Sequence, residues 1–513
     1  MVKIWHSLYD VLKIPLLIIL AGIMMVGVGS LLISSTFDSL YVINIPILIM
    51  IGRILSATGT FILSNFPLLF LLRLVTRKTG SSITVPCALC GYVSFAIATM
   101  LVTNAALPAY ARQEILGISL QIPGTYTSES SVVYPLNTGL FGALCTAGIV
   151  LLVDHAGKKG VSRLLATPLR HFFFTIVLCA LSGTITAWLW PYFYAIIARI
   201  IITITVDTAN PVNLALYGVT DRILSVLNLN TLIRTPFWYT GSGGTWISQS
   251  GTSIAGDVSI WTAQTSTGIF TGMSGRFITP FYVLNIFAVP AMLWAIFSIQ
   301  NDRAKKKKMF LFLAILTLFS IFTGILLPVE LFLLLFAPLL FVIHCAMSGL
   351  LFALMQSLQI YIGYNAPNGL SSGMIPGSLM ELFTYISNPG MQERLTGFLV
   401  VGVVTAVFYF VVTRFYFRHM ALDLFHTGRK EKMIDAMCEA LGGAANIHKV
   451  TSLYSSVYVE VFETELADVD KLLKAGAIYV EHGGDKFAIH IAEASTMIRI
   501  GLEKKRQSVV RDV

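Results

Sequence analysis

Stretches 14–33, 83–109, 172–197, 277–299, 309–327 and 395–412 of this chain contain no charged side chain. Each is close to the ~20 residues with which an α-helix crosses ~30 Å of hydrocarbon. Several such runs in one chain specify a polytopic α-helical membrane protein. A β-barrel would show alternating segments of ~10 residues instead. The first run is followed by no small-residue cleavage site, so it reads as a span rather than a signal peptide. Composition agrees: of 513 residues, 56% are hydrophobic and 12% charged, about half the charge of an ordinary soluble protein.

The net charge of +9 is not a nucleic-acid footprint, because its distribution follows the spans. Basic residues occupy short loops: Arg73, Arg77 and Lys78; Lys158, Lys159, Arg163 and Arg170; Arg303 with Lys305 to Lys308; Arg414, Arg418, Arg429 and Lys430. The alternate loops, 34–45 and 363–393, lack Lys and Arg. This positive-inside asymmetry places both termini in the cytoplasm. The six cysteines, Cys87, Cys90, Cys145, Cys179, Cys345 and Cys438, form no disulfide framework. Cys87 and Cys90 make a CxxC within an apolar run and read as small packing residues. Neither a metal nor a cofactor is expected.

Residues 1–206 read as five spanning helices, in which Gly22, Gly27 and Gly29 permit close helix contact, either internal or at a dimer face. From Asp207 to Arg276 the apolar runs shorten, and Gly, Ser, Thr, Asn and Trp accumulate. Asp207, Asp221, Arg222, Arg234 and Asp257 lie in this stretch. Charged groups and broken backbone at membrane depth need protein or a wet cavity around them. Such a segment points to a transport site, with a long extracytoplasmic loop as the rival reading. A second break lies at Thr323–Glu330, where Pro328 interrupts a helix and Glu330 stands between apolar runs. That carboxylate is either a functional group or a helix cap. After Phe425 the composition becomes that of a soluble domain. Glu431–Leu441 is an amphipathic helix. Val457, Val459 and Val461 alternate as a half-buried strand, and two strands flank Gly483-Gly484-Asp485. The order is αββαββα, enough for one small core.

Four segments resemble the glucose-family permeases of the bacterial phosphoenolpyruvate-dependent sugar phosphotransferase system (PTS), in the EIIC–EIIB arrangement. They are Leu216–Arg222 continuing to Trp238, Gly324–Glu330 (similar to "GITEPIE"), Phe336–His344 (similar to "APLLYVIH") and Leu441–Ile447 (similar to "LGGKENI"). The resemblance implies about ten membrane-embedded helices with re-entrant segments and a small C-terminal α/β domain. It divides the chain into 1–424, an EIIC-like permease domain (1–206 scaffold, 207–424 substrate part); 425–430, a linker; and 431–513, an EIIB-like cytoplasmic domain. It also implies a homodimer in the bacterial plasma (inner) membrane and a hexose, glucoside or amino sugar as ligand.

The family reaction passes a phosphoryl group from a phosphocarrier to an EIIB cysteine and then to a sugar hydroxyl. That relay needs a thiolate, a base or orienting group, and charge neutralisation. This chain departs from the pattern. Leu453 stands at the phospho-cysteine position, and no Cys follows Cys438. Asn230 and Thr231 stand at the paired-histidine positions, and Leu327 at the first glutamate. Ser452, Ser455 and Ser456 lack the cationic loop that would activate them. No catalytic residue is therefore expected to be retained, and enzymatic activity stays open. Expected substrate-binding residues are Arg222, Asn230, Thr231, Trp238, Trp246, Glu330 and His344. Three readings follow: a sugar permease without its own phosphoryl transfer, a membrane sugar sensor or scaffold that docks a cytoplasmic PTS or regulatory protein, or an active sugar phosphotransferase.

Overall fold

A computed structural model gives the fold. It describes residues 2–33, 46–79, 83–101, 107–158 apart from 114, 118–119 and 123–130, and 167–364 apart from 269–270, 300–302 and 325. It further describes 377–419 apart from 387–390, and 428–511 apart from 454–455, 478 and 492–494. Among these, six helices are long and apolar enough to cross a membrane: Pro46–Ser64, Gly139–Gly157, Pro168–Val206, Thr279–Ile299, Pro338–Ser357 and Glu393–Arg418. Leu17–Gly29, Thr84–Met100 and Leu313–Phe322 are shorter apolar helical stretches. Many large apolar side chains on these helices are exposed, Leu152, Trp188, Tyr192 and Val404 among them. In a chain this apolar they face lipid rather than water.

Contacts divide the chain into two units: Met1–Pro290 with Ile315–Val407, and Ala291–Ala314 with Phe408–Val513. In the first unit, α1 (Val2–Ile33) and α2 (Pro46–Ser64) pack along a seam of glycines. Gly22 and Gly29 face Gly59 and Gly52. A Cβ at Gly29 would stand 2.5 Å from Ser56 N, and one at Gly59 would stand 2.5 Å from Gly22 O. Without side chains the two backbones touch, the close approach that small residues allow in lipid. Gly22 and Gly29 therefore serve internal packing.

After α3 (Phe66–Thr79), α4 (Thr84–Leu101), α5 (Gly139–Lys158) and the long α6 (Pro168–Val206), the helices shorten. Helix α7 (Pro211–Val226) begins with Pro at its first position and is capped by Asn210, whose side chain accepts from Val212 N. It ends where Asn228 takes a positive φ of 58°, a conformation that Asn tolerates better than most residues. Helix α8 (Thr231–Tyr239), a hairpin of β3 (Thr245–Ile247) and β4 (Ser253–Ala255), and α9 (Asp257–Thr267) complete the polar stretch. Helix α10 (Thr279–Ile299) contains a π-helical segment at Leu284–Ala288. There the Asn285 carbonyl accepts from Ser320 Oγ at 2.8 Å. Helix α11 (Arg303–Thr323) stops at Gly324, φ 72°, and α12 (Leu327–Phe336) starts anew with Pro328 in its first turn. Helix α13 (Pro338–Ser357) packs on α7.

The C-terminal part of the second unit follows the order α16 (Gly428–Ala440), β5 (Ile447–Leu453), β6 (Ser456–Val461), α17 (Val469–Lys474), β7 (Tyr479–Gly483), β8 (Lys486–His490), α18 (Ser495–Arg511). The sheet is antiparallel in the order β5-β6-β8-β7. Val457, Val459 and Val461 point inward with Phe487, Ile489, Leu441 and Leu502, while Tyr458 between them faces out. Burying alternate residues of a strand against helices is what period-2 patterning demands.

The seam generates a test. Gly29→Val should lower the melting temperature of the detergent-solubilised protein, because overpacking costs about 1–3 kcal/mol. Gly148→Ala, where an added Cβ meets nothing within 4 Å, should leave it unchanged or raise it. Equal effects from the two substitutions would remove the seam's role.

Candidate functional site

The two breaks meet. Asp221 and Arg222 lie on α7, Arg234 on α8, Glu330 in the first turn of α12 and His344 on α13. Arg222 is 2% exposed, and Asp221 and Glu330 are fully buried. Burying an ion costs several kcal/mol unless partners replace its water, and here they do. Arg222 Nη1 donates to Glu330 Oε1, and Arg222 Nη2 donates to Asp221 Oδ2. Arg222 Nε reaches the same Asp221 oxygen at 3.1 Å. Arg234 Nε donates to Asp221 Oδ1 at 2.5 Å and its Nη2 to Oδ2 at 3.0 Å. This is the two-pronged geometry that suits guanidinium and carboxylate. His344 Nε2 lies 3.6 Å from Glu330 Oε1. Two guanidinium groups thus balance two carboxylates. Glu330 turns its carboxylate to Arg222 rather than to free N–H groups of its own helix, which decides against the cap.

Aromatic faces hold the cations. The Arg222 guanidinium stands 4.9 Å from the Phe281 ring centroid. Arg234 stands 4.9 Å from Phe281 and 5.3 Å from Trp238. Trp238 Nε1 in turn donates to Tyr217 OH at 3.0 Å. Such contacts fix the planar groups with little rotational freedom left.

Beside the network is a cavity of about 110 Å³, bordered by Arg222, Ser225, Asn228, Asn230, Arg234, Phe281, Asn285 and Leu327 among others. The structure therefore brings Arg222 and Asn230 to the cavity wall. It places Trp238, Glu330 and His344 in the supporting layer. Thr231 points elsewhere: its hydroxyl accepts from Asn137 Nδ2 at 2.7 Å. Trp246 lies on the hairpin opposite Ile254, away from the cavity. Leu327 lines the cavity as an apolar surface.

No protein-family model matches the chain. It is 26% identical to the PTS system glucoside-specific EIICBA component of Staphylococcus carnosus (strain TM300), over 506 residues covering 89% of this chain and 66% of the relative. With six spanning helices and a small C-terminal sheet, the resemblance extends through both regions. The chain is similar to the glucose-family EIIC–EIIB permeases of the phosphotransferase system, and that likeness supports the resemblance read from its motifs. It spans just under two thirds of that relative's length. Its apolar helices, together with this likeness, support a multi-pass plasma-membrane protein.

Asp221, Arg234, Ser225, Asn228 and Asn285 join the site without having been among the expected binding residues, although Asp221 and Arg234 were noted as charges in the broken segment. The signal for the first two was present: charged residues gathered in an apolar environment must find opposite charges. The signal for Asn285 was absent, because it depends on a π-helical segment.

The network predicts a coupled stability effect. Arg222→Met leaves the buried Glu330 without its guanidinium partner, while Asp221 keeps Arg234, and should cost about 3–5 kcal/mol, read as a fall in melting temperature. Adding Glu330→Gln should recover part of the loss. If the two substitutions simply add, the pair is not coupled.

Proposed function

We propose that this chain is a sugar permease of the plasma membrane that binds and moves its sugar without phosphoryl transfer through its own EIIB-like region. One observation carries the reading. The EIIB-like region has a single thiol, Cys438, and that thiol is 5% exposed within the hydrophobic core beside Met437 and Leu441. Burial pushes its pKa above the ordinary thiol value. A phosphoryl acceptor must be an accessible thiolate, and Cys438 is neither accessible nor easily ionised. Leu453 ends β5, where the resemblance expects the acceptor.

The membrane region supports binding. Guanidinium and amide groups border a cavity with an aromatic wall, the chemistry with which proteins hold polyols. Two broken helical segments meet there, as in carriers that move a substrate part against a fixed part. By loop charge, both termini face the cytoplasm, and a homodimer is the expected assembly.

A second reading, a membrane sensor with a docking module, draws on the outward faces of the C-terminal region. Tyr458 is 40% exposed, Tyr479 55% and Phe462 66%. Exposed aromatic side chains of this kind suit a protein partner, such as a cytoplasmic PTS or regulatory protein.

Membranes incubated with the phosphocarrier proteins and labelled phosphoenolpyruvate should leave this chain unlabelled. Cells that lack other sugar permeases should accumulate free, unphosphorylated sugar when they express it. Phosphate on the chain, or sugar phosphate as the first intracellular product, overturns the reading. Sugar binding without flux moves the assignment to a sensor. In the folded protein Cys438 should also resist maleimide until denaturant is added; rapid labelling would remove the argument from burial.

A further inference from the structure

We propose that the cavity beside Arg222 and Arg234 takes the carboxylate of an acidic saccharide, and that Arg234 is the residue that selects it. The proposal rests on the sugar-binding reading above and names the class of sugar.

The first observation is the order of charges. Arg222 and Arg234 border the cavity, whereas Asp221 and Glu330 lie behind them. Among the described residues, no carboxylate lines the cavity. The four charges cancel, yet they are layered with the cationic side toward the ligand. Leu327 makes one wall apolar, in the place where the resemblance expects a carboxylate. A neutral sugar hydroxyl both donates and accepts, so it needs acceptors as well as donors. This lining offers two guanidinium groups and no carboxylate, with the Ser225 hydroxyl and the amides of Asn228, Asn230 and Asn285 as its neutral polar groups. An ionised carboxylate only accepts, and guanidinium groups only donate.

The second observation is the state of Arg234. Asp221 occupies its Nε and Nη2. Its Nη1 has no hydrogen-bond partner among the described residues. The group is clamped by Asp221 and by the faces of Trp238 and Phe281. It is 13% exposed, against 0% for Asp221. A guanidinium held on one edge and open on the other loses little freedom when it binds an anion. Arg234 supplies the second positive charge of the network, and its remaining edge is still turned to the cavity.

The third observation is size. At about 30 Å³ per water, a cavity of about 110 Å³ holds a carboxylate and the carbon that carries it.

The test is equilibrium binding to the purified full-length chain in detergent, using methyl glucuronide, methyl glucoside and glucose 6-phosphate. The expected result is methyl glucuronide bound at least about 10-fold more tightly than methyl glucoside, with the preference weakened by salt. Asn230→Asp places a carboxylate in the lining at a helix start that accepts Asp as readily as Asn. It should reduce glucuronide binding about 10-fold or more, and by a larger factor than it reduces glucoside binding. The charge-balanced pair Asp221→Asn with Arg234→Gln should erase the preference. Glucoside bound as tightly as glucuronide overturns this inference and leaves the sugar-binding reading standing. A preference for glucose 6-phosphate overturns the carboxylate assignment. Failure of every saccharide to bind overturns both.

Discussion

A guanidinium held between two buried carboxylates organises the broken helical segments of this protein. Arg222 is bonded to Asp221 on its own helix and to Glu330, a separation of 108 residues. All three groups are buried. In lipid or protein, a lone ion of either sign is far more costly than a paired one. The segments that carry them therefore have few acceptable arrangements. Helices α7 and α12 must meet at Arg222, α8 must bring Arg234 to the second oxygen of Asp221, and Phe281 must cover both cations. The cavity is the space those requirements leave between the broken helices. The pairing is better understood as setting register than as adding net stability, since two apolar groups of similar shape would avoid the desolvation cost altogether.

Much of the fold was legible because its signals are local. Charge-free runs mark the spans, Pro328 and Gly324 mark a break, and Val457, Val459 and Val461 mark a strand face. The site was legible only as a set of candidates. Asn230 and Thr231 are neighbours in sequence, yet consecutive residues at a helix start point in different directions. One lines the cavity and the other bonds Asn137. Trp246 looked suitable by residue type, but its hairpin holds it elsewhere. The salt-bridge partners were visible as charges and not as pairs, because pairing is decided by long-range packing. The π-helical turn that places Asn285 has no short-range signature at all.

The C-terminal region shows how a fold can be independent of its chemistry. Its core is made by alternating strand residues, three helices and glycine turns, and Cys438 contributes only as a small apolar group. A reactive group at the end of β5 would lie outside that core. Leu453 there leaves strand pairing intact, with Leu453 opposite Ser456. The constraint on folding and the constraint on phosphoryl transfer fall on different residues, so the first can be met without the second.

The same separation bears on Arg222 and Glu330. Both match the family resemblance, which invites the conclusion that both contact substrate. The network gives them a second reason to persist, since removing either strands a buried charge at a cost of about 3–5 kcal/mol. Leu327 and Asn230 border empty space and carry no such obligation. Positions on the wall can change with the ligand, while positions behind it are held by their neighbours. What a permease of this kind binds is therefore better read from the residues that face the cavity than from those it shares with its relatives. Arg234 is on the wall and also tied into the network. Arg222 shares both positions, so the placement of these two cations reports on the ligand and on the fold together.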